Sequence, residues 1–151
     1  MNNIQIFSMI VLMVFFLPLF IIDFKYKILP DILTKPLIII GLILNYFQTF
    51  VSFKESILGS LFGYFFLWFI FWTYKSITDK EGLGYGDFKL LAAVGSWFGI
   101  SIILPVIILA SILGLVLALL VNLFTRTNTI AFGPVIIVAT ICIFYRGFNY
   151  V

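Results

Sequence analysis

The chain has no histidine and one cysteine in 151 residues. Without histidine, Ser-His-Asp and Cys-His catalysis and His-ligated zinc hydrolysis are excluded within the chain. The lone Cys142 excludes an internal disulfide and a thiolate zinc cluster, and its apolar segment leads us to expect an inert, packed thiol. Charge is scarce too: only 10% of residues are charged, with nine Lys and Arg against six Asp and Glu. The basic residues are scattered singly, so the net charge of +3 forms no patch for nucleic acid. No internal repeat, low-complexity tract or linker divides the sequence, and one domain over residues 1–151 is expected.

What remains is apolar. The sequence is 64% hydrophobic and 19% aromatic, and its mean hydropathy of +1.25 excludes an ordinary soluble domain. An apolar stretch of about 20 residues crosses a bilayer. The expected fold is therefore all-α, a polytopic integral membrane protein of about six transmembrane helices. Their expected ranges are 4–22, 36–51, 57–74, a short fourth helix from Phe88, a fifth ending near Phe124, and 130–145. The first lacks a positively charged leader and a small-residue exit, so a retained helix is expected there rather than a cleaved signal. Asp31 or Thr34 is the expected cap of the second. Residues 88–124 would reach roughly 55 Å as one helix, against a hydrocarbon core of about 30 Å, so a break is required. Gly99, Ser101 and Pro105 mark it.

Six spans place alternate loops on opposite faces. Seven of the nine basic residues (Lys25, Lys27, Lys35, Lys75, Lys80, Lys89 and Arg126) fall in the first, third and fifth loops, against Lys54 and Arg146 on the other side. That asymmetry predicts cytoplasmic first, third and fifth loops, with both termini outside. Lys25 and Lys89 read as boundary anchors.

Two acids at these boundaries stand out. A charge inside a bilayer costs at least ~2.5 kcal/mol, so acids there tend to carry function. Asp23 follows the C-terminal end of the first span, where the helix dipole disfavours negative charge. Asp87 closes the run Gly84-Tyr85-Gly86-Asp87. As a helix start it has a bland reading as an N-cap, and the glycines one as a tight turn. The alternative is a site in which the glycines supply positive φ or a close backbone approach. The charge count puts both acids on one side. Two close carboxylates cannot both ionise cheaply; one keeps a proton while the other deprotonates water, which is acid–base hydrolysis without a covalent intermediate.

Three blocks together resemble the type IV prepilin and preflagellin peptidases, membrane aspartyl proteases of the GxGD type. They are Ile22-Asp23-Phe24-Lys25 with Leu29-Pro30-Asp31; Glu81 through Asp87 to Ala93, continuing as Gly95-Ser96-Trp97-Phe98-Gly99; and Ala131-Phe132-Gly133-Pro134. Their order and spacing match from about residue 10 to residue 140. The resemblance implies that Asp23 and Asp87 are the catalytic pair, with Gly84, Tyr85 and Gly86 as the catalytic-loop motif. It further implies pilin-like precursors as substrates, cut after the glycine that ends a short basic leader at the cytoplasmic face of the inner membrane, just before an apolar helix. It implies neither cofactor nor metal. Larger members carry a preceding cytoplasmic region with paired Cys-x-x-Cys motifs and also N-methylate the product. A short-form peptidase core without methylation is expected here. Ala131 departs from the family by standing where proline is common.

Asp31, Asp79 and Glu81 are candidate contacts for a basic leader, weighed against solvated loop acids that balance nearby lysines. Two rival functions use the same residues: a small ion- or proton-coupled transporter with the aspartates as its cation site, and a non-catalytic membrane scaffold. A presenilin-type enzyme shares Gly-x-Gly-Asp, but its Tyr-Asp and Pro-Ala-Leu motifs are absent. Nothing in the sequence sets the oligomeric state.

Overall fold

The computed structural model describes residues 2–78, 84–125 and 131–148, and at 122–125 and 148 the backbone alone. Among these residues six α-helices follow one another: α1 (Asn3–Tyr26), α2 (Asp31–Tyr46), α3 (Phe53–Thr78), α4 (Tyr85–Phe98), α5 (Ile103–Thr125) and α6 (Gly133–Phe148). A single 3₁₀ turn, Ile100–Ile102, joins α4 to α5. The chain is an all-α membrane protein. Three stretches, Asn3–Tyr26, Phe53–Thr78 and Ile100–Val121, are long and apolar enough to cross a bilayer. They turn large apolar side chains outward, among them Phe7, Leu17, Phe65, Phe69, Ile108 and Leu119, as lipid-facing helices do.

Several helix ends differ from the sequence expectation. Neither Asp31 nor Thr34 caps α2: Pro30 is the N-cap, Asp31 is the first helical residue, and Pro36 lies inside the helix. Pro30 serves because its extended backbone (φ −70°, ψ 134°) leads into the helix and its carbonyl accepts from the Leu33 and Thr34 amides at 3.1 and 3.2 Å. The fourth helix starts at Tyr85 rather than Phe88, with Gly84 as N-cap, so Asp87 sits in the first turn. The break before α5 falls at Gly99, whose φ of 80° suits glycine. Cys142 is exposed on α6 rather than packed, because it faces away from the core.

The core is built around α4. Its residues Asp87, Phe88 and Leu90 to Phe98 are all buried, enclosed by α2, α3 and α6. A helix of 14 residues is about 21 Å long, short of the hydrocarbon core, so it serves as a central pin rather than a lipid-facing span. Small residues let α3 come close: a methyl at Gly63 would sit 2.7 Å from the Leu91 carbonyl oxygen, and one at Gly95 would strike the Gly59 backbone. The far end of α4 is held by Asn45. Its side-chain amide donates to the Ser96 and Trp97 carbonyls, both at 2.8 Å, while its oxygen accepts from the Phe50 and Val51 amides at 3.0 and 3.2 Å. Trp97 donates to the Leu37 carbonyl at 2.9 Å. These bonds fix α4 along its axis and thereby the position of its N-terminal turn.

Candidate active site

Asp23 lies in the last turn of α1 and Asp87 in the first turn of α4. Both are buried, 4% and 5% exposed, and both line one cavity of about 360 Å³. The long chain between them is folded so that the end of α1 and the start of α4 border the same cavity.

The dipole problem at Asp23 has a structural answer. Its side chain leaves the unfavourable C-terminal end of α1 and reaches the start of α6, where the Gly133 N–H donates to Oδ2 at 2.9 Å. That end of α6 carries the positive pole. Asp87 occupies the corresponding position on α4, and its own amide donates to the Gly84 carbonyl at 3.1 Å. Two helix N-termini thus face one cavity, each beside one carboxylate. The N-cap reading of Asp87 does not hold, since Gly84 is the cap and no side-chain capping bond is made.

The glycines matter through proximity rather than through positive φ. Gly84 is extended (φ −80°, ψ 141°), and a methyl there would make ordinary contact, 3.5 Å from Asp87 Oδ2. Gly86 is different: a methyl would lie 2.5 Å from Leu29 Cβ. Gly133 is as tight, with a methyl 2.5 Å from Asp23 Oδ2 and 3.2 Å from Leu29 Cδ1. Tyr85 borders the cavity while its ring packs on Phe71 and Phe88, with centroids 5.1 and 5.8 Å away.

The remaining candidates are dispersed. Asp31 is at the cavity rim, half exposed, and pairs with Lys35 at 3.0 Å and with Lys89. Lys89 is therefore an ion-pair partner between α4 and α2 as well as a boundary residue. Asp79 and Glu81 lie outside the described residues. Among the described residues no three His, Cys, Asp or Glu side chains converge as metal ligands would. Sequence reasoning missed two participants, the Gly133 amide and Leu29. The signal for the first was present in Phe132-Gly133-Pro134, a small residue and a proline at a helix start, but nothing in it names Asp23 as the acceptor. An apolar groove of about 480 Å³ between α1, α5 and α6 shares Lys27 and Ala131 with the aspartate cavity.

Known proteins are similar to this chain over most of its length. Residues 10–119 match the type IV leader peptidase family. A prepilin leader peptidase/N-methyltransferase of Xanthomonas campestris pv. campestris is 41% identical over 146 residues, covering 95% of this chain and 51% of the relative. Its namesake in Pseudomonas aeruginosa is 42% identical over 122 residues, 79% of this chain and 42% of the relative. The Escherichia coli K12 protein of that name is 42% identical over 122 residues, 80% of this chain and 54% of the relative. The chain spans about half the length of the curated relatives it matches. No solved structure matches it. Neither the family nor these relatives support the transporter reading. With both acids in one cavity and the match running through Asp23 and Asp87, the chain belongs to the type IV leader peptidase family.

Proposed function

We propose that the protein is a membrane-embedded aspartic endopeptidase that removes the short basic leader of type IV prepilins or pilin-like precursors. Cleavage follows the leader glycine at the cytoplasmic face of the inner membrane. The observation that carries this reading is the shared cavity, in which two buried carboxylates each lie beside a helix N-terminus.

Asp23 and Asp87 act as the catalytic pair. The ionised member takes a proton from water as the oxygen attacks the scissile carbonyl, and the protonated member donates to the carbonyl oxygen. The tetrahedral diol collapses as one of its hydroxyls gives its proton to the carboxylate that is now ionised and the protonated member gives its own to the departing nitrogen, so the C–N bond breaks and the pair ends with one proton as it began. The Gly133 amide occupies Oδ2 of Asp23 and leaves Oδ1 for the water. Gly84, Tyr85 and Gly86 carry Asp87 into the cavity. The adjoining apolar groove supports a substrate whose cleavage point is followed by an apolar helix.

In this reading the whole chain is one transmembrane peptidase domain, with the cavity cytoplasmic and both termini outside, as the distribution of lysine and arginine favours. Asp31, Asp79 and Glu81 draw in the basic leader. Lys35 and Lys89 already share the charge of Asp31, which weakens its pull. The reaction assigned is proteolysis.

The test is cleavage of a prepilin-like precursor by the purified protein in detergent, beside Asp23→Asn and Asp87→Asn variants shown to be folded. Cleavage after the leader glycine by the wild type, lost in both variants, is expected. Activity persisting in either folded variant overturns the dyad, and no cleavage of several precursors by the wild type overturns the peptidase.

A further inference from the structure

Leu29 lies between α1 and α2 and is 7% exposed, although the residues around it are polar or open to the surface. Its side chain fills the space that two glycines leave. A methyl at Gly86 would be 2.5 Å from Leu29 Cβ and 3.2 Å from Cδ1, and a methyl at Gly133 would be 3.2 Å from the same Cδ1. Gly86 immediately precedes Asp87, and Gly133 holds Asp23. One isobutyl group therefore touches the backbone beside both acids.

The segment carrying Leu29 is anchored on each side. Before it, Lys27 adopts the left-handed conformation (φ 55°) and its amide caps α1 by donating to the Asp23 carbonyl at 2.8 Å. After it, Pro30 has its φ restricted by its ring and caps α2. Next, Asp31 is paired with Lys89 on α4. An apolar side chain on a segment held at both ends, wedged between two helix N-termini, acts as a spacer.

We propose that Leu29 is a positioning residue that sets the separation of the α4 and α6 N-termini, and with it the spacing of Asp87 and Asp23. Its catalytic consequence rests on the peptidase reading; its structural consequence does not. Leu29 performs no chemistry. It acts through Gly86 and Gly133, and its size is what counts.

Two measurements test this on the full chain in detergent. The first needs no activity. In a Cys142→Ser background, Gly84→Cys and Ala131→Cys place one thiol beside the start of α4 and one beside the start of α6, both on the cavity lining; the β-carbon at 84 makes only ordinary contact with Asp87 Oδ2, at 3.5 Å. A short bifunctional thiosulfonate is expected to join them at least ~3-fold faster when Leu29→Ala is added, and at the original rate with Leu29→Met, which restores most of the volume. An unchanged rate in Leu29→Ala overturns the spacer. The second is cleavage kinetics. Leu29→Ala is expected to lower kcat by about 10–100-fold, since misplacement of reacting groups by about 1 Å costs up to that much, with KM within ~3-fold. Leu29→Met recovers most of the loss. Where Leu29→Ala does not fold, Leu29→Val carries both measurements, with smaller effects in the same direction. A loss confined to KM, or a folded Leu29→Met as impaired as Leu29→Ala, overturns the assignment. A wild type that cleaves nothing removes the peptidase reading and leaves the cross-linking rate to decide the role of Leu29.

Discussion

The Gly133 amide donates to Asp23 Oδ2 at 2.9 Å across 110 residues of sequence, joining the start of α6 to the end of α1. Without that bond, a carboxylate in the last turn of α1 would face the negative pole of its own helix. With it, Asp23 belongs electrostatically to α6. Asp87 occupies the equivalent place on α4, so both acids are held by N-terminal helix ends while the helices that bear them run differently.

Gly133→Ala tests how closely this bond is fitted. The added methyl would press on Asp23 Oδ2 from 2.5 Å and on Leu29 from 3.2 Å. The carboxylate must rotate or withdraw, and a shift of about 1 Å in a reacting group costs up to ~100-fold in rate. Steady-state cleavage is expected to show most of that loss in kcat. A folded Gly133→Ala variant with the wild-type kcat would show that the contact does not position Asp23.

The acids were legible in the sequence because each breaks a rule of its surroundings. Asp23 is a charge at an apolar boundary on the wrong pole of a helix, and Asp87 follows two glycines. The need for a break between residues 88 and 124 was legible from length, and Gly99, Ser101 and Pro105 marked its neighbourhood. The helix starts were less so. Pro30 caps α2 through its backbone carbonyl, which side-chain capping preferences do not register, and Tyr85 extends α4 across residues that read as loop. What Leu29 and the Gly133 amide do stayed hidden for another reason, although both residues fall in blocks that the sequence singles out. Their roles depend on contacts between distant segments, and neither a leucine nor a backbone N–H carries a signal of its own.

Asn45 should govern stability first, and through the placement of α4 the position of Asp87. Its amide and oxygen together make four hydrogen bonds to backbone groups of α4 and of the segment after α2, all away from the aspartates. Asn45→Ala leaves buried carbonyls and amides without partners, at about 1–3 kcal/mol for each that stays unsatisfied. A clear fall in the thermal unfolding midpoint in detergent is expected, with a smaller, several-fold fall in kcat per folded molecule as the N-terminal turn of α4 shifts. An unaltered midpoint would mean that water replaces all four bonds.

The Asp31–Lys89 pair ties the start of α2 to α4 two residues beyond Asp87. Asp31→Lys would set Lys89 and Lys35 against a third cation and loosen that tie, and a several-fold fall in cleavage rate is expected. Adding Lys89→Asp reverses the pair between the helices and should recover part of the rate. A double variant no better than Asp31→Lys would show that Asp31 acts as an acid in its own right, for instance on a basic leader, rather than through Lys89. Because Asp31 is half exposed, the effect should shrink as salt is raised.

Gly95 and Gly147 provide a matched comparison of glycines inside helices. A methyl at Gly95 in α4 would collide with the Gly59 backbone of α3, and a backbone atom cannot rotate aside as a side chain can. Moving two packed helices apart loses dispersion contacts along the whole seam, and overpacking of this kind typically costs about 1–3 kcal/mol. At Gly147, near the end of α6, nothing lies within 4 Å of the added methyl. There alanine only removes backbone freedom and should raise stability by roughly 0.5–1 kcal/mol at most. Unfolding in detergent should therefore move in opposite directions for Gly95→Ala and Gly147→Ala. If both variants unfold like the wild type, α3 and α4 are not packed through Gly59 and Gly95, and the axial placement of Asp87 must come from the Asn45 end of α4 alone.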